Sequence, residues 1–329
     1  MMPLIDSFNR KHTYLRISVT DRCNLRCIYC MPSQGIEMKS RDKMLTFDEI
    51  KRVAEIFAAL GITKIRLTGG EPLVRKDLPR LVESISNIPG IDTISMTTNG
   101  VLLKNFAPQL KESGLTHLNV SLDTLRLSRF VQIALRQNYY DVIAGINAAL
   151  DAGFQPLKLN TVIIGGVNDD ELHDFVEFVR DKPINIRFIE YMPFKFNQWN
   201  QGKLISFQQM KEKIGERYNL IPLEKSLNEN SVSKDFKIQG FAGSISFITS
   251  MSDHFCETCN RIRLTADGSI KSCLFHPAEV NLKSALRSNS SDDIISEMIQ
   301  SAISVKPYGH PKAEDLIAIE NRSMIQIGG

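Results

Sequence analysis

No stretch of the chain approaches the ~18 consecutive apolar residues of a membrane-spanning helix, so a place inside a bilayer is not expected. Residues 1–11 lack both a continuous apolar segment and a small-residue cleavage site, so export is not expected either, and the cytoplasm is the default setting. A formal charge of +3 is too small for a nucleic-acid scaffold, which carries a strong basic stripe and a higher isoelectric point. Low-complexity blocks and solenoid repeats are absent. Cysteine is missing from most of the chain as well. All six fall into two tight groups, Cys23, Cys27 and Cys30, then Cys256, Cys259 and Cys273, and in a reducing compartment such clustering points to metal ligation rather than disulfides.

What is present is ordinary for a globular chain, with 43% hydrophobic and 23% charged residues. At 329 residues there is room for one large barrel and an appended region. Over the first half, short β-rich runs alternate with amphipathic helical stretches, the rhythm of consecutive βα units. Six strands are predicted at 15–20, 64–68, 93–97, 117–122, 156–163 and 185–189, with helices at 46–60, 77–86, 107–113, 140–152 and 170–181. Thr46 and Glu49 have the spacing of a capping box at the start of the first helix. The fold expected is α/β: an incomplete (β/α)6 TIM-like barrel over 1–192, and a C-terminal extension over 193–329 carrying the second cysteine group. After Met192 the sequence turns polar and loop-rich, residues 224–240 lack periodicity, and 290–304 reads as helical.

Barrel strands point alternate side chains into the lumen and out toward the helices. Leu15, Ile17 and Val19 share one parity and Arg16, Ser18 and Thr20 the other; Ile65 and Leu67 oppose Arg66 and Thr68; Leu157 and Leu159 oppose Lys158 and Asn160. If the apolar parity faces the helices, the lumen holds Arg16, Arg66 and Lys158, joined by Arg187 from the sixth strand, and attracts an anion. An antiparallel sheet with one wet side would also alternate, but the intervening helices disfavour it.

Cys23, Cys27 and Cys30 directly follow the first strand, where parallel barrels place their reactive loops. Three thiolates can wrap three irons of a cubane, whereas a four-iron cluster normally takes four protein thiolates, so one iron is left open. A closed zinc tetrahedron is a poor alternative without a nearby histidine or fourth cysteine. The CxxxCxxC spacing, with Tyr29 before the last cysteine, closely resembles the radical S-adenosylmethionine superfamily. The resemblance implies that the open iron is chelated by S-adenosylmethionine, whose reductive cleavage releases a 5′-deoxyadenosyl radical. Gly69-Gly70-Glu71-Pro72 is similar to that superfamily's loop for the amino group of S-adenosylmethionine, and Tyr29, Gly70, Ser121 and Met192 fall at its contact positions.

The second group, Cys256-Glu257-Thr258-Cys259 and then Cys273, is another incomplete thiolate set. By spacing alone zinc, with His254 or His276 as a fourth ligand, and iron–sulfur are equally open. The surrounding FCETCNRIRLTADGSIKSCLF, together with RISVTDRCNLRCIYCMP, IRLTGGEPLVR, TTNG, NVSLDT and RFIEYM, resembles the GTP 3′,8-cyclases, the molybdenum cofactor biosynthesis protein A family, over nearly the whole chain. That resemblance implies a second four-iron cluster whose open iron takes the guanine of GTP. It also implies hydrogen abstraction from the ribose C3′ and attack of the carbon radical on C8. GTP contacts are implied at Arg16, Arg66, Thr97, Lys158, Arg261 and Arg263, with Arg187 close by. The terminal Gly328-Gly329 matches a flexible double-glycine tail that reaches into the site, so the catalytic set expected is Cys23, Cys27, Cys30, Arg16, Gly328 and Gly329.

Implied partners are GTP, a downstream cyclic pyranopterin monophosphate synthase, an electron donor such as flavodoxin or ferredoxin, and a second copy in a homodimer. Nucleic acid and membrane are not among them. Two other functions fit the cysteines less well: a peptide-modifying radical enzyme, which usually carries more than three cysteines in its extension, and a non-catalytic zinc or electron-transfer protein. Residues 125–140 and the run PFKFNQWN depart from the family's usual sequence, and beyond the helical pattern of 290–304 the stretch 290–311 carries little assignable signal.

Overall fold

The computed structural model describes residues 3–32, 34–36, 40–194, 196–224 and 232–328. The six predicted strands are present as β1 (Tyr14–Ser18), β2 (Lys64–Thr68), β3 (Thr93–Thr98), β4 (His117–Ser121), β5 (Leu157–Ile163) and β6 (Ile184–Glu190). Between them run α1 (Phe47–Ala59), α2 (Leu78–Ser86), α3 (Leu103–Glu112), α4 (Leu127–Ala134), α5 (Tyr139–Asp151) and α6 (Leu172–Phe178). The Thr46 side chain accepts from Glu49 N while Glu49 reaches back to Thr46 N, the reciprocal cap expected for α1. Helix α3 begins four residues before its predicted start and carries Pro108 inside it. Helix α4 lies in the divergent stretch and was not expected. It buries Phe130, Ile133 and Ala134 and ends at Leu135 in a left-handed conformation, without the glycine that would have signalled a stop.

The region after residue 192 is more regular than its composition suggested. It contains α7 (Phe207–Gly215), β7 (Ile221–Pro222), β8 (Ser233–Lys237), β9 (Ser244–Ile248), β10 (Arg261–Leu264), β11 (Ser269–Lys271), β12 (Val280–Asn281), α8 (Lys283–Arg287), α9 (Asp292–Ser304), α10 (Ala313–Ala318) and α11 (Met324–Ile327). Among the described residues all twelve strands form one sheet, ordered β12-β11-β10-β1-β2-β3-β4-β5-β6-β9-β8-β7. The inner eight are mutually parallel, with β10 beside β1 and β9 beside β6. Thus the barrel-like sheet runs across residue 192, and the later region contributes a strand at each side of the first six. Antiparallel β8 and β11 then cover the two outer parallel edges.

The apolar parity of the strands packs under the helices: Leu15, Ile17, Ile65, Leu67, Leu118, Val120, Leu157 and Leu159 all belong to one continuous core. The polar parity therefore faces the lumen, as the alternation predicted. Among the described residues no helix is long and apolar enough to cross a membrane.

Candidate functional site

At the C-terminal end of the parallel strands, three loops nest by backbone contacts. Gly70 N donates to Thr20 O at 2.7 Å and Glu71 N to Arg22 O at 2.7 Å, pressing the loop after β2 against the residues leading into Cys23. A Cβ on Gly70 would stand 2.3 Å from Arg22 O, so only glycine permits that approach. The buried Glu71 carboxylate accepts from Thr98 Oγ1 at 2.6 Å and Asn99 N at 2.6 Å, binding in the loop after β3. Asn99 Nδ2 in turn donates to Asn24 Oδ1 at 2.7 Å and Cys23 Sγ at 3.6 Å. From the other side, Arg26 N donates to Ala134 O and Ile28 N to Ile133 O, so α4 backs the cysteine loop.

Tyr29 OH donates to Asp123 Oδ2 at 2.7 Å, and a narrow cavity lined by Cys27, Tyr29, Asn99, Ser121 and Asp123 opens beside the thiols. Asn160, the register partner of Ser121, has a buried Oδ1 with no hydrogen-bond partner among the described residues, the kind of acceptor that a ligand would satisfy. Burial, then Asp123 and the neighbouring thiols, push Cys27 well above its ordinary value; burial, then Cys23 and Asp123, push Cys30 up to about 12. Such thiols keep their protons until a cation displaces them. They are free of disulfides, and the donor set fits a cluster held by one thiolate per iron. Met192 follows β6, its carbonyl accepting from Asn197 Nδ2 at 2.8 Å, and Asn197 Oδ1 also receives Trp199 N at 3.2 Å. Asn197 thus ties Met192 to Trp199 in the loop after β6.

Cross-strand register builds the lumen. Arg16 pairs with Arg263 on one side and Arg66 on the other, and Tyr14 with Arg261 and Lys64, giving two adjacent cationic rows. Further round, Thr97 aligns with Asn119 and Asn119 with Lys158, while Asn160 aligns with Arg187. Arg66 donates to Tyr14 OH and, at 3.2 Å, to Thr97 Oγ1. Crowding is visible in the acid–base behaviour. Burial and then Arg263 hold the Arg16 guanidinium well below its usual range; burial and then Arg187, Arg66 and Lys64 bring Lys158 down to about 8. Burial would raise Tyr14, yet Arg66, Arg16 and Arg261 together lower it to about 6. Buried cations at this density are a receptor for a polyanion, and Asn119 Oδ1 is a further buried acceptor without a partner among the described residues.

The second cysteine group lies at the opposite end. Cys259 precedes β10, which runs parallel to β1, and Cys273 follows antiparallel β11, so both sit at the N-terminal end of the strands. Cys256 and Cys259 flank one turn, Cys259 N donating to Cys256 O at 3.1 Å. Burial raises the Cys256 thiol; burial also acts to raise Cys259, but Lys306 and Arg261 outweigh it and lower that thiol. Neither histidine considered as a fourth ligand is placed as one: His254 stacks edge-on with His310 at 5.2 Å, and His276 Nδ1 accepts from Ala278 N at 3.3 Å. Among the described residues no three His, Cys, Asp or Glu side chains converge on one metal ion, as a mononuclear zinc site requires.

The tail reaches the lumen. Arg263 Nη1 donates to Gly328 O at 2.9 Å, and a Cβ on Gly328 would meet Ser18 and Thr68 within 2.9 Å. Gly329 lies outside the described residues. Three lumen residues escaped the sequence reading: Tyr14, Lys64 and His117, the last brought down to about 4 by burial and then Lys158, Lys64 and Arg66. Tyr14 and Lys64 share the parity of Arg16 and Arg66; Lys64 already lay inside the predicted second strand, and Tyr14 needed the first strand extended by one residue.

The chain matches the Radical SAM superfamily model over residues 17–179 and the Molybdenum Cofactor Synthesis C model over residues 184–312. It is 48% identical to the mitochondrial GTP 3′,8-cyclase of Arabidopsis thaliana, over 99% of this chain and 83% of that protein. To GTP 3′,8-cyclase of Petrotoga mobilis it is 42% identical, over 99% of this chain and 100% of that protein. Molybdenum cofactor biosynthesis protein 1 of Mus musculus is 46% identical over 99% of this chain, which spans only 51% of that longer protein. Among solved structures, Streptococcus suis SuiB bound to S-adenosylmethionine superposes with a TM-score of 0.61 at 14% identity, over 89% of this chain and 69% of that one, a likeness of fold.

Proposed function

Since the chain belongs to the GTP 3′,8-cyclase family of radical S-adenosylmethionine enzymes, we infer that its basic lumen holds GTP for conversion to 3′,8-cyclo-7,8-dihydro-GTP, the first step of molybdenum cofactor biosynthesis. One observation carries this reading: the two three-cysteine groups stand at opposite ends of the same parallel strands, with the arginine rows of β1, β2 and β10 between them.

When bound at Cys23, Cys27 and Cys30, a four-iron cluster supplies the electron that splits S-adenosylmethionine into methionine and a 5′-deoxyadenosyl radical. The chain's own residues do the rest. Gly70, by its backbone, and Tyr29, Ser121 and Met192 line the seat for S-adenosylmethionine. Arg16, Arg66 and Arg263, with Lys158 and Arg187, grip the triphosphate through charge-assisted hydrogen bonds, and Thr97, held by Arg66, orients the nucleotide. Arg261 stacks on Phe255 at 5.0 Å beside Cys259. Cys256, Cys259 and Cys273 would hold a second cluster, which would supply an iron without a protein ligand as a site for the guanine. The Gly328 backbone, fastened to Arg263, closes the lumen against water at the ribose.

We place the reaction in a reducing compartment that keeps all six thiols free, the cytoplasm being the expectation. A small redox protein as electron donor and handover of the product to cyclic pyranopterin monophosphate synthase complete the proposal. Anaerobic incubation with GTP, S-adenosylmethionine and a reductant tests it: 5′-deoxyadenosine and cyclised GTP form together, whereas 5′-deoxyadenosine without cyclised GTP rejects the substrate and retains the radical chemistry.

A further inference from the structure

Beneath the second cysteine loop lies a buried cation that GTP binding does not use. Lys306 is 3% exposed. Its ammonium donates to Arg261 O at 2.9 Å, to Cys259 O at 3.0 Å and to Cys259 Sγ at 3.6 Å, a full complement of three donors. On its far side stands His12 Nδ1 at 3.5 Å. The other ring nitrogen of His12 faces Asp6 at 3.1 Å, and Asp6 is itself committed to Arg10 Nε at 2.6 Å. Arg10 then reaches across to the carbonyls of Cys256, Tyr308 and Pro307. The N-terminal segment and the chain around 306–310 therefore clasp the cysteine loop from two sides.

A buried ammonium needs an anion close by. The direct partners of Lys306 are two neutral carbonyls, an imidazole and one sulfur, and Asp6 is shared between Arg10 and His12, so the charge that balances Lys306 belongs on Cys259 Sγ. The first group is built differently: Cys23 Sγ receives neutral amides, Leu25 N at 3.4 Å and Asn99 Nδ2 at 3.6 Å. Hydrogen bonds to ligand sulfurs, and charge nearby, set the reduction potential of an iron–sulfur cluster. A cation fixed against one sulfur favours the more negative, reduced state.

We propose that Lys306 is a positioning residue of the second cysteine set: it balances the thiolate at Cys259, raises the reduction potential of the cluster there, and through Arg261 O locks that ligand to the strand bearing Arg261 and Arg263. This rests on the reading that Cys256, Cys259 and Cys273 hold a cluster. The test is an anaerobic iron count followed by redox titration, read by electron paramagnetic resonance, of the wild type, K306M and K306R, with the first cluster as internal control. In K306M the midpoint of the second cluster moves to more negative potential by about 59 mV, a tenfold change in a one-electron equilibrium, while K306R stays near the wild type and the first cluster does not move. Loss of about four irons from K306M but not from K306R also supports the role, because Arg keeps the charge and the donors that Met lacks. If K306M fails to fold, K306Q takes its place as the uncharged variant that retains donors. K306M or K306Q holding about eight irons with both midpoints unchanged overturns the proposal. A wild type holding only about four irons overturns the underlying reading instead, so the two failures are separable.

Discussion

Tyr14 shows what a single residue does in a lumen of cations. Its hydroxyl accepts from Arg66, and Arg66, Arg16 and Arg261 outweigh burial to bring it to about 6, against an ordinary value of 10.0. In the unliganded protein the phenolate is thus a built-in counter-anion. A folded-state value below the unfolded one stabilises the fold fully above pH 10, and the contribution disappears as pH falls toward 6. Lys158, lowered from 10.5 to about 8, acts in the same direction between pH 8 and 10.5, since its charging there occurs only in the unfolded chain. Glu71 and Asp123, raised by burial to about 7 and about 6, oppose both below pH 7 but are unchanged by a mutation at Tyr14. The stability gap between wild type and Y14F in the unliganded form therefore widens as pH rises from 6 to 9, at up to ~1.4 kcal/mol per pH unit. Denaturation midpoints across that range check this, and a gap independent of pH contradicts it. Arg263 provides the second residue-scale prediction. R263A removes a member of the arginine row and frees Gly328 O; at about 1.5–3 kcal/mol for a charged hydrogen bond, the KM for GTP rises roughly 10- to 100-fold. S-adenosylmethionine cleavage measured without GTP is expected to be the same in R263A and the wild type. Parity made Arg16, Arg66 and Lys158 legible in the sequence. It could not reveal Lys306, whose role comes from a meeting with Cys259 across 47 residues of chain.

Among the elements, the loop after β2 is the least tolerant of change. At Gly70 an added Cβ meets a backbone oxygen at 2.3 Å, which cannot move without carrying the cysteine loop with it. G70A therefore costs at least the ~1–3 kcal/mol of an overpacked site and loses S-adenosylmethionine cleavage, assayed as methionine release. Gly215, at the end of α7, has nothing within 4 Å of its would-be Cβ, and G215A is the control that leaves cleavage intact. The strands and α1, α2 and α5 were legible because their period agreed with the fold, and α1 also because of its reciprocal cap at Thr46 and Glu49. Helix α4 was not, since its end is marked by a left-handed Leu135 rather than a glycine. Its contribution, two backbone hydrogen bonds to the cysteine loop from Arg26 and Ile28, leaves no side-chain signature.

For the molecule as a whole, the decisive feature is that the strands after residue 192 complete the sheet begun before it. Strands β10 (Arg261–Leu264) and β9 (Ser244–Ile248) lie too far from β1 and β6 in sequence for pattern alone to pair them. The Arg261 and Arg263 alternation was visible, but its register with Tyr14 and Arg16 is a property of the folded sheet. That register puts one cysteine group at each end of the lumen, the division on which the proposed reaction rests. The most direct measurement is iron and sulfide analysis of anaerobically prepared protein beside two triple variants, C23A/C27A/C30A and C256A/C259A/C273A. About eight irons in the wild type and about four in each variant, with methionine release surviving only in the second, is the predicted result. Zinc in place of iron, or an iron content untouched by the loss of either trio, would contradict it.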